Sequence, residues 1–134
     1  MPVSDTQLPL IPDTPHSIIP GKICTPHLYE NSANSRNHHK SDTYSTLDYG
    51  RIIGSPYFRQ WRAADTIRLP AREFSSDLKN LVQQAFPPPL RRRIYAAYDD
   101  NGCIWAEGIG VAARVKPDET STKLLVFSVT PEPD

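Results

Sequence analysis

The chain is short of the features that mark most enzyme classes. It has two cysteines, one methionine and six glycines in 134 residues. Its four histidines, His16, His27, His38 and His39, all precede residue 40. Everything after them lacks the general base of Ser-His-Asp and Cys-His arrangements. Walker A, G-x-S-x-G and H-E-x-x-H patterns are absent, and with them the phosphate loop, nucleophile elbow and zinc helix that they encode. No apolar run approaches the ~20 residues of a membrane span, so no membrane partner is expected. A secretory leader is not expected either, because Pro9 and Pro12 break up Leu8, Leu10 and Ile11. A cytoplasmic location follows as the expectation. Fifteen basic and fifteen acidic side chains cancel, which removes any whole-molecule pull toward nucleic acid or anionic lipid.

Two cysteines, Cys24 and Cys103, make no disulfide framework, and free thiols are expected. Cys24 and His27 have a zinc-like C-x₂-H spacing. His38 and His39 are adjacent and sit on no helix, so the set does not complete a metal site. No cofactor is expected.

Proline is what the chain has in excess: fourteen, about twice a typical share. Six lie in the first 26 residues, and an Asn/Ser/His run, 31–42, follows. Neither part has helical or strand period. Residues 1–45 therefore read as a Pro/Ser/Asn-rich arm, extended or disordered when alone. Leu8, Leu10, Ile11, Ile18 and Ile19 are the apolar clusters with which it would dock on a partner.

Residues 46–130 read as one small domain, with 131–134 as a tail. Thr66–Leu69 alternates and is a strand candidate. Pro70 suits a helix start. Phe74, Leu78, Leu81, Val82 and Ala85 then repeat at helical spacing, predicting an amphipathic helix over 71–86. Pro87-Pro88-Pro89 stops it. Asn101-Gly102 predicts a type I′ hairpin pairing Tyr98 with Trp105. Its second strand is expected to run unbroken from Cys103 to Val115, flattened at Gly108 and Gly110 so that a ring or backbone could approach. Leu124–Val129 is a last strand with an exposed edge, which would support homodimerisation. The expected fold is α+β: a small, mostly antiparallel sheet of three or four strands with one helix on one face.

Charge is not spread evenly. Residues 51–93 hold nine cations, eight of them Arg, against three carboxylates, whereas residues 94–134 hold three cations against seven. Arg is the better fork for phosphate and the better stacking partner. Arg91-Arg92-Arg93, with Tyr57, Arg59, Trp61 and Arg62, are the candidate partner-binding residues. Two readings follow. The first is a non-enzymatic accessory protein that docks on a protein partner. The alternative is single-stranded RNA or DNA binding on segment 51–93, which needs Tyr57, Phe58 or Trp61 exposed beside the cations. The bland alternative is that these aromatics are core and the arginines pair with the acidic C-terminal strands. Glu107, Tyr98 and Cys103 are the groups an enzyme would use. For Glu107 an ion pair with Arg68 or Arg93 is the simpler expectation. Asp99 and Asp100 are read as turn residues.

Overall fold

β-Branched and aromatic residues in short alternating runs, cut by proline and glycine, favour many brief strands over a few long ones. The computed structural model follows that rule and describes residues 7–30 and 44–133. In chain order the strands are β1 (Leu8–Pro9), β2 (Lys22–Glu30), β3 (Thr46–Asp48), β4 (Tyr57–Phe58), β5 (Thr66–Ile67) and β6 (Ser76–Asp77). Helix α1 (Leu78–Ala85) comes next, then β7 (Ala96–Asp99), β8 (Gly102–Ala106), β9 (Gly110–Val111) and β10 (Lys123–Pro131). They form a five-stranded sheet β1-β4-β7-β8-β9, a three-stranded sheet β2-β10-β3 and the pair β5-β6. Every pairing is antiparallel. The α+β class stands as expected, with more strands than expected.

The core lies between the two larger sheets. Trp105 of β8 stacks on Phe127 of β10, with ring centroids 4.0 Å apart and planes 5° from parallel. Phe58 of β4 meets the same Phe127 edge-on. Such pairs contribute about 0.5–1.5 kcal/mol each beyond the area they bury. Leu47, Cys24 and Leu125 fill the facing side of the smaller sheet.

The largest correction concerns the first third of the chain. Residues 7–30 are part of the fold rather than an arm. All nine residues of β2 pair with β10, Leu8 pairs with Phe58, and Leu10, Ile19 and Cys24 are buried. Tyr95 accepts the N–H groups of Ile18 and Ile19 on its hydroxyl and donates to the Lys22 carbonyl. The prolines obscured this. Pro9 and Pro26 sit inside strands, and Pro26 offers its carbonyl to the Asp13 N–H. Local period is poor because the strand's stability comes from a partner a hundred positions away. The rest of the expected arm, 1–6 and 31–43, lies outside the described residues.

Four further expectations change. Strand β10 is not an exposed edge. Along Leu124–Val126 it has β2 on one side and β3 on the other, so over those residues the edge proposed for dimerisation is occupied within the chain. Helix α1 spans 78–85 only, and Phe74 lies before it, 76% exposed. Leu78, Leu81 and Val82 alone make its buried stripe.

The hairpin loop is Asp100-Asn101, not Asn101-Gly102. Asp99 pairs with Gly102 and Tyr98 with Cys103. Asp99 Oδ1 accepts the Asn101 N–H at 2.9 Å, and Gly102 alone takes the positive φ, +120°. A bulge at Ile104 then sets Ala97, rather than Tyr98, opposite Trp105. Finally, the strand expected over 103–115 reverses at Glu107–Ile109, and β9 folds back on β8. Gly108 turns the corner at φ +76°, and a Cβ there would lie 2.4 Å from the Phe86 ring. A ring does approach, at a turn rather than on a flat strand.

Candidate nucleic-acid interface

The basic segment divides into cations that the fold neutralises and cations that it leaves at the surface. Arg59 belongs to the first group. It follows β4 and is buried. Its Nη1 and Nη2 donate to the two Asp65 oxygens at 3.0 and 2.9 Å, and its guanidinium lies 3.8 Å over the Tyr98 ring. Tyr98 donates to Asp65 Oδ2 at 2.6 Å. Burial opposes ionisation of Asp65, but Arg59, Tyr98 and the Arg62 N–H outweigh it and hold the carboxyl below its ordinary value. Arg51 is likewise paired, with Asp118 and Asp48.

The acidic C-terminal part thus takes up Arg51, as the bland reading expects, while Arg59 finds its partner inside its own segment. Arg114, outside the basic segment, is neutralised in the same way. It donates to both oxygens of the fully buried Asp99 at 2.8 and 2.6 Å. Burial disfavours the Asp99 anion, yet Arg114 and the Ile53 and Asn101 N–H groups pull its carboxyl below the ordinary range.

The aromatic platform expected of Tyr57, Phe58 and Trp61 does not form. Phe58 and Trp61 are buried. Half-buried Tyr57 stacks on Tyr98, 5.6 Å between centroids. Trp61 Nε1 donates to the Arg91 carbonyl at 2.6 Å, so its polar edge is spent on holding the chain after α1. These rings are core or stacked on it, and the single-strand version of nucleic-acid binding loses the stacking surface expected of them.

Arg91, Arg92 and Arg93 form a corner at the C-terminal end of α1. Arg91 Nε donates to the Phe86 carbonyl at 2.9 Å, and Nη2 reaches the Gln83 carbonyl at 3.3 Å. Those carbonyls have no partner further along the helix, and a cation is favoured at that negative end. Arg92 is exposed, its guanidinium 5.8 Å over the Trp61 ring. Arg93 is exposed and donates to the Pro20 carbonyl at 2.7 Å. Among the described residues no carboxylate accepts from any of the three. Trp61, Arg91 and Arg92 are therefore brought together. Arg59 and Tyr57 are turned inward, and Arg62 is exposed with its N–H on Asp65 Oδ2.

Reasoning from sequence overlooked the exposed side of α1. Lys79, Asn80, Gln83 and Gln84 are all exposed. A helix of eight residues with one cation, three amides and no acid was the available signal. Together with the arginine corner it makes a polar surface to which α1 itself contributes no acid, and the exposed Asp77 stands at the opposite end of the helix.

The other singled-out groups have structural partners. Glu107 takes Lys22 Nζ at 2.9 and 2.8 Å and the Tyr95 N–H at 2.9 Å. Its ion pair is with Lys22, not Arg68 or Arg93, because the N-terminal segment is folded. Cys103 is buried and its thiol is pushed up to about 12, first by desolvation. Burial, with smaller electrostatic contributions, also raises the Cys24 thiol. Cys24 and His27 are three apart on β2 and so face opposite sides of the sheet. His38 and His39 lie outside the described residues. Asp99 does serve the turn, as expected, and is also Arg114's counter-ion. No helix among the described residues is long and apolar enough to cross a membrane.

Comparison with known proteins places this geometry. No curated protein sequence matches the chain. Among solved structures, the crystal structure of a TilS C-terminal domain superposes with a TM-score of 0.72 at 15% identity, covering 96% of this chain and 98% of that one. An N-terminal fragment of the phenylalanyl-tRNA synthetase β-subunit from Pyrococcus horikoshii superposes at 0.51 and 9% identity, over 84% of this chain and 39% of that one. At these identities both likenesses speak to the fold. A sequence profile described as the TilS substrate C-terminal domain matches residues 57–127, more than half the chain and all of the five-stranded sheet except β1. The chain belongs to the TilS substrate C-terminal domain family.

Proposed function

We propose that this domain is a non-enzymatic binding module that holds structured RNA by its phosphate backbone. The observation that carries the reading is the surface around the C-terminal end of α1. Arg92 and Arg93 are exposed there, no described carboxylate accepts from them, and uncharged amides flank them. Backbone contacts need cations and hydrogen-bond donors, whereas single-strand recognition needs open rings. The burial of Phe58 and Trp61 favours the first. The similarity to a tRNA synthetase fragment makes tRNA the RNA class to try first. Structural partners for Glu107, Tyr98 and Cys103 support a role without catalysis.

The test is filter retention of bulk tRNA, and of a single-stranded oligonucleotide with equal phosphate count, over a salt series. Retention of tRNA is expected to exceed that of the oligonucleotide and to fall steeply with salt. Arg92→Ala/Arg93→Ala is expected to weaken tRNA binding and to reduce the salt slope by roughly two. Absence of tRNA retention at low salt, or full retention by the double variant, overturns the reading. The same two proteins would then be assayed for a protein partner.

A further inference from the structure

A second surface carries chemistry that the arginine corner does not use. A cleft of about 240 Å³ opens where β5, the β7–β8 turn and the segment Ala112–Arg114 meet. That volume lies below the ~300–1,000 Å³ of sites for drug-sized ligands, so its occupant is a small group. Thr66, Arg68, Ser75, Asn101 and Arg114 line it, with Cys103 beside them. Each of the first five carries a side-chain hydrogen-bond donor. Among the described residues, none that lines the cleft is Asp or Glu.

The two guanidinium groups are not equivalent. Arg114 is held by a two-point ion pair to Asp99 and also donates to the Gly102 carbonyl. Its orientation is fixed before any ligand arrives, which lowers the ordering cost of binding. Asp99 offsets its charge, so Arg114 supplies directed donors more than net attraction. Arg68 is exposed, and its Nη1 donates to the Arg72 carbonyl; among the described residues no carboxylate accepts from it, which leaves its charge uncompensated. The cleft wall is fixed by the Ala113 N–H donating to the Arg68 carbonyl at 2.7 Å. One uncompensated cation, one pre-oriented guanidinium, two hydroxyls and an amide, with no carboxylate among the described lining residues, make the donor set of a tetrahedral oxyanion.

We propose that this cleft is a binding site for a phosphate group, separate from the RNA surface at the end of α1. The phosphate could come from free phosphate or from the end of a nucleic-acid strand, since both present the same oxygens. Volume excludes a whole nucleotide being enclosed.

The experiment titrates inorganic phosphate into the full chain at constant ionic strength, read by amide and arginine Nε–H resonances. Thr66, Ser75, Asn101 and Arg114 are expected to shift together with one dissociation constant. Arg68→Gln is expected to weaken that constant at least about tenfold, the loss of one hydrogen bond to a charged group. Ser75→Ala is expected to weaken it less. Both positions are outside the core, so an unchanged melting temperature verifies that the variants fold. Two RNA oligonucleotides of one sequence, with a 5′-phosphate or a 5′-hydroxyl, separate the sources. Cleft shifts with the first and not the second assign the site to a strand end. Shifts with inorganic phosphate alone assign it to the free ion. No cleft shift with any of the three, or shifts that Arg68→Gln leaves unchanged, overturn the proposal. Inorganic phosphate reads this cleft without tRNA, so its failure is distinct from failure at Arg92 and Arg93.

Discussion

Arg114 and Arg92 are the same residue type with opposite fates, and the regions around them differ in one respect. Near Arg114 the hairpin turn delivers Asp99 to a fully buried position, so a carboxylate waits for the guanidinium. Near Arg92 the polyproline stop and the end of α1 bring only carbonyls and the Trp61 ring. Charge count alone does not separate structural from available cations. What separates them is whether the fold puts an acid within reach.

The largest expected effect comes from breaking the inner pair. Arg114→Met leaves the buried Asp99 carboxylate without its cation, and about 3 kcal/mol of stability should be lost. Urea unfolding measures it. A loss below about 1 kcal/mol would mean that the Ile53 and Asn101 N–H groups suffice for Asp99.

Acid should weaken the same region next. Asp65 and Asp99 both have folded-state values below the ordinary 3.8. Their contribution is therefore complete above the unfolded value and is lost as pH falls through the folded ones. Melting temperature followed downward from neutral pH should hold until the approach to pH 3.8 and then drop. The drop should be shallower in Asp65→Asn than in the parent chain.

A smaller effect is expected at the N-terminal segment. Lys22→Met removes an ion pair whose partners are each about one-fifth exposed. Solvent screening limits the loss to about 1 kcal/mol, and amide exchange should quicken in β2 before β7. At the outer surface, Arg92→Ala/Arg93→Ala should change stability by less than about 0.5 kcal/mol while diminishing tRNA retention. A large destabilisation there would place these arginines with the inner group and remove the contrast.

The sequence could be read where local signals act alone. The Asn/Asp/Gly turn, the polyproline stop and the Leu78/Leu81/Val82 stripe were legible because neighbouring residues decide them. Strand β2 was not. Its Pro26 and mixed polarity argue against a strand, and pairing with β10 overrides that preference. The same omission hid Lys22 as the partner of Glu107. At the site, the exposed arginines of the corner could be picked out by composition. The inward turn of Arg59, Tyr57 and Trp61 could not, because it depends on Asp65 and on the Arg91 carbonyl meeting them in space. One-residue slippage in the hairpin came from giving Asn101 the left-handed conformation that only Gly102 adopts.

Strand β10 lies at the centre of its sheet, and Pro131 closes it against Lys22. During synthesis on the ribosome, β2 precedes β10 and must wait unpaired until β10 has been made. Pairings so distant in sequence form slowly. The hydrophobic side of β2 is thus uncovered until translation has passed β10, and in that interval Pro26, which has no N–H to offer, is the residue within β2 that blunts pairing with a neighbour's strands.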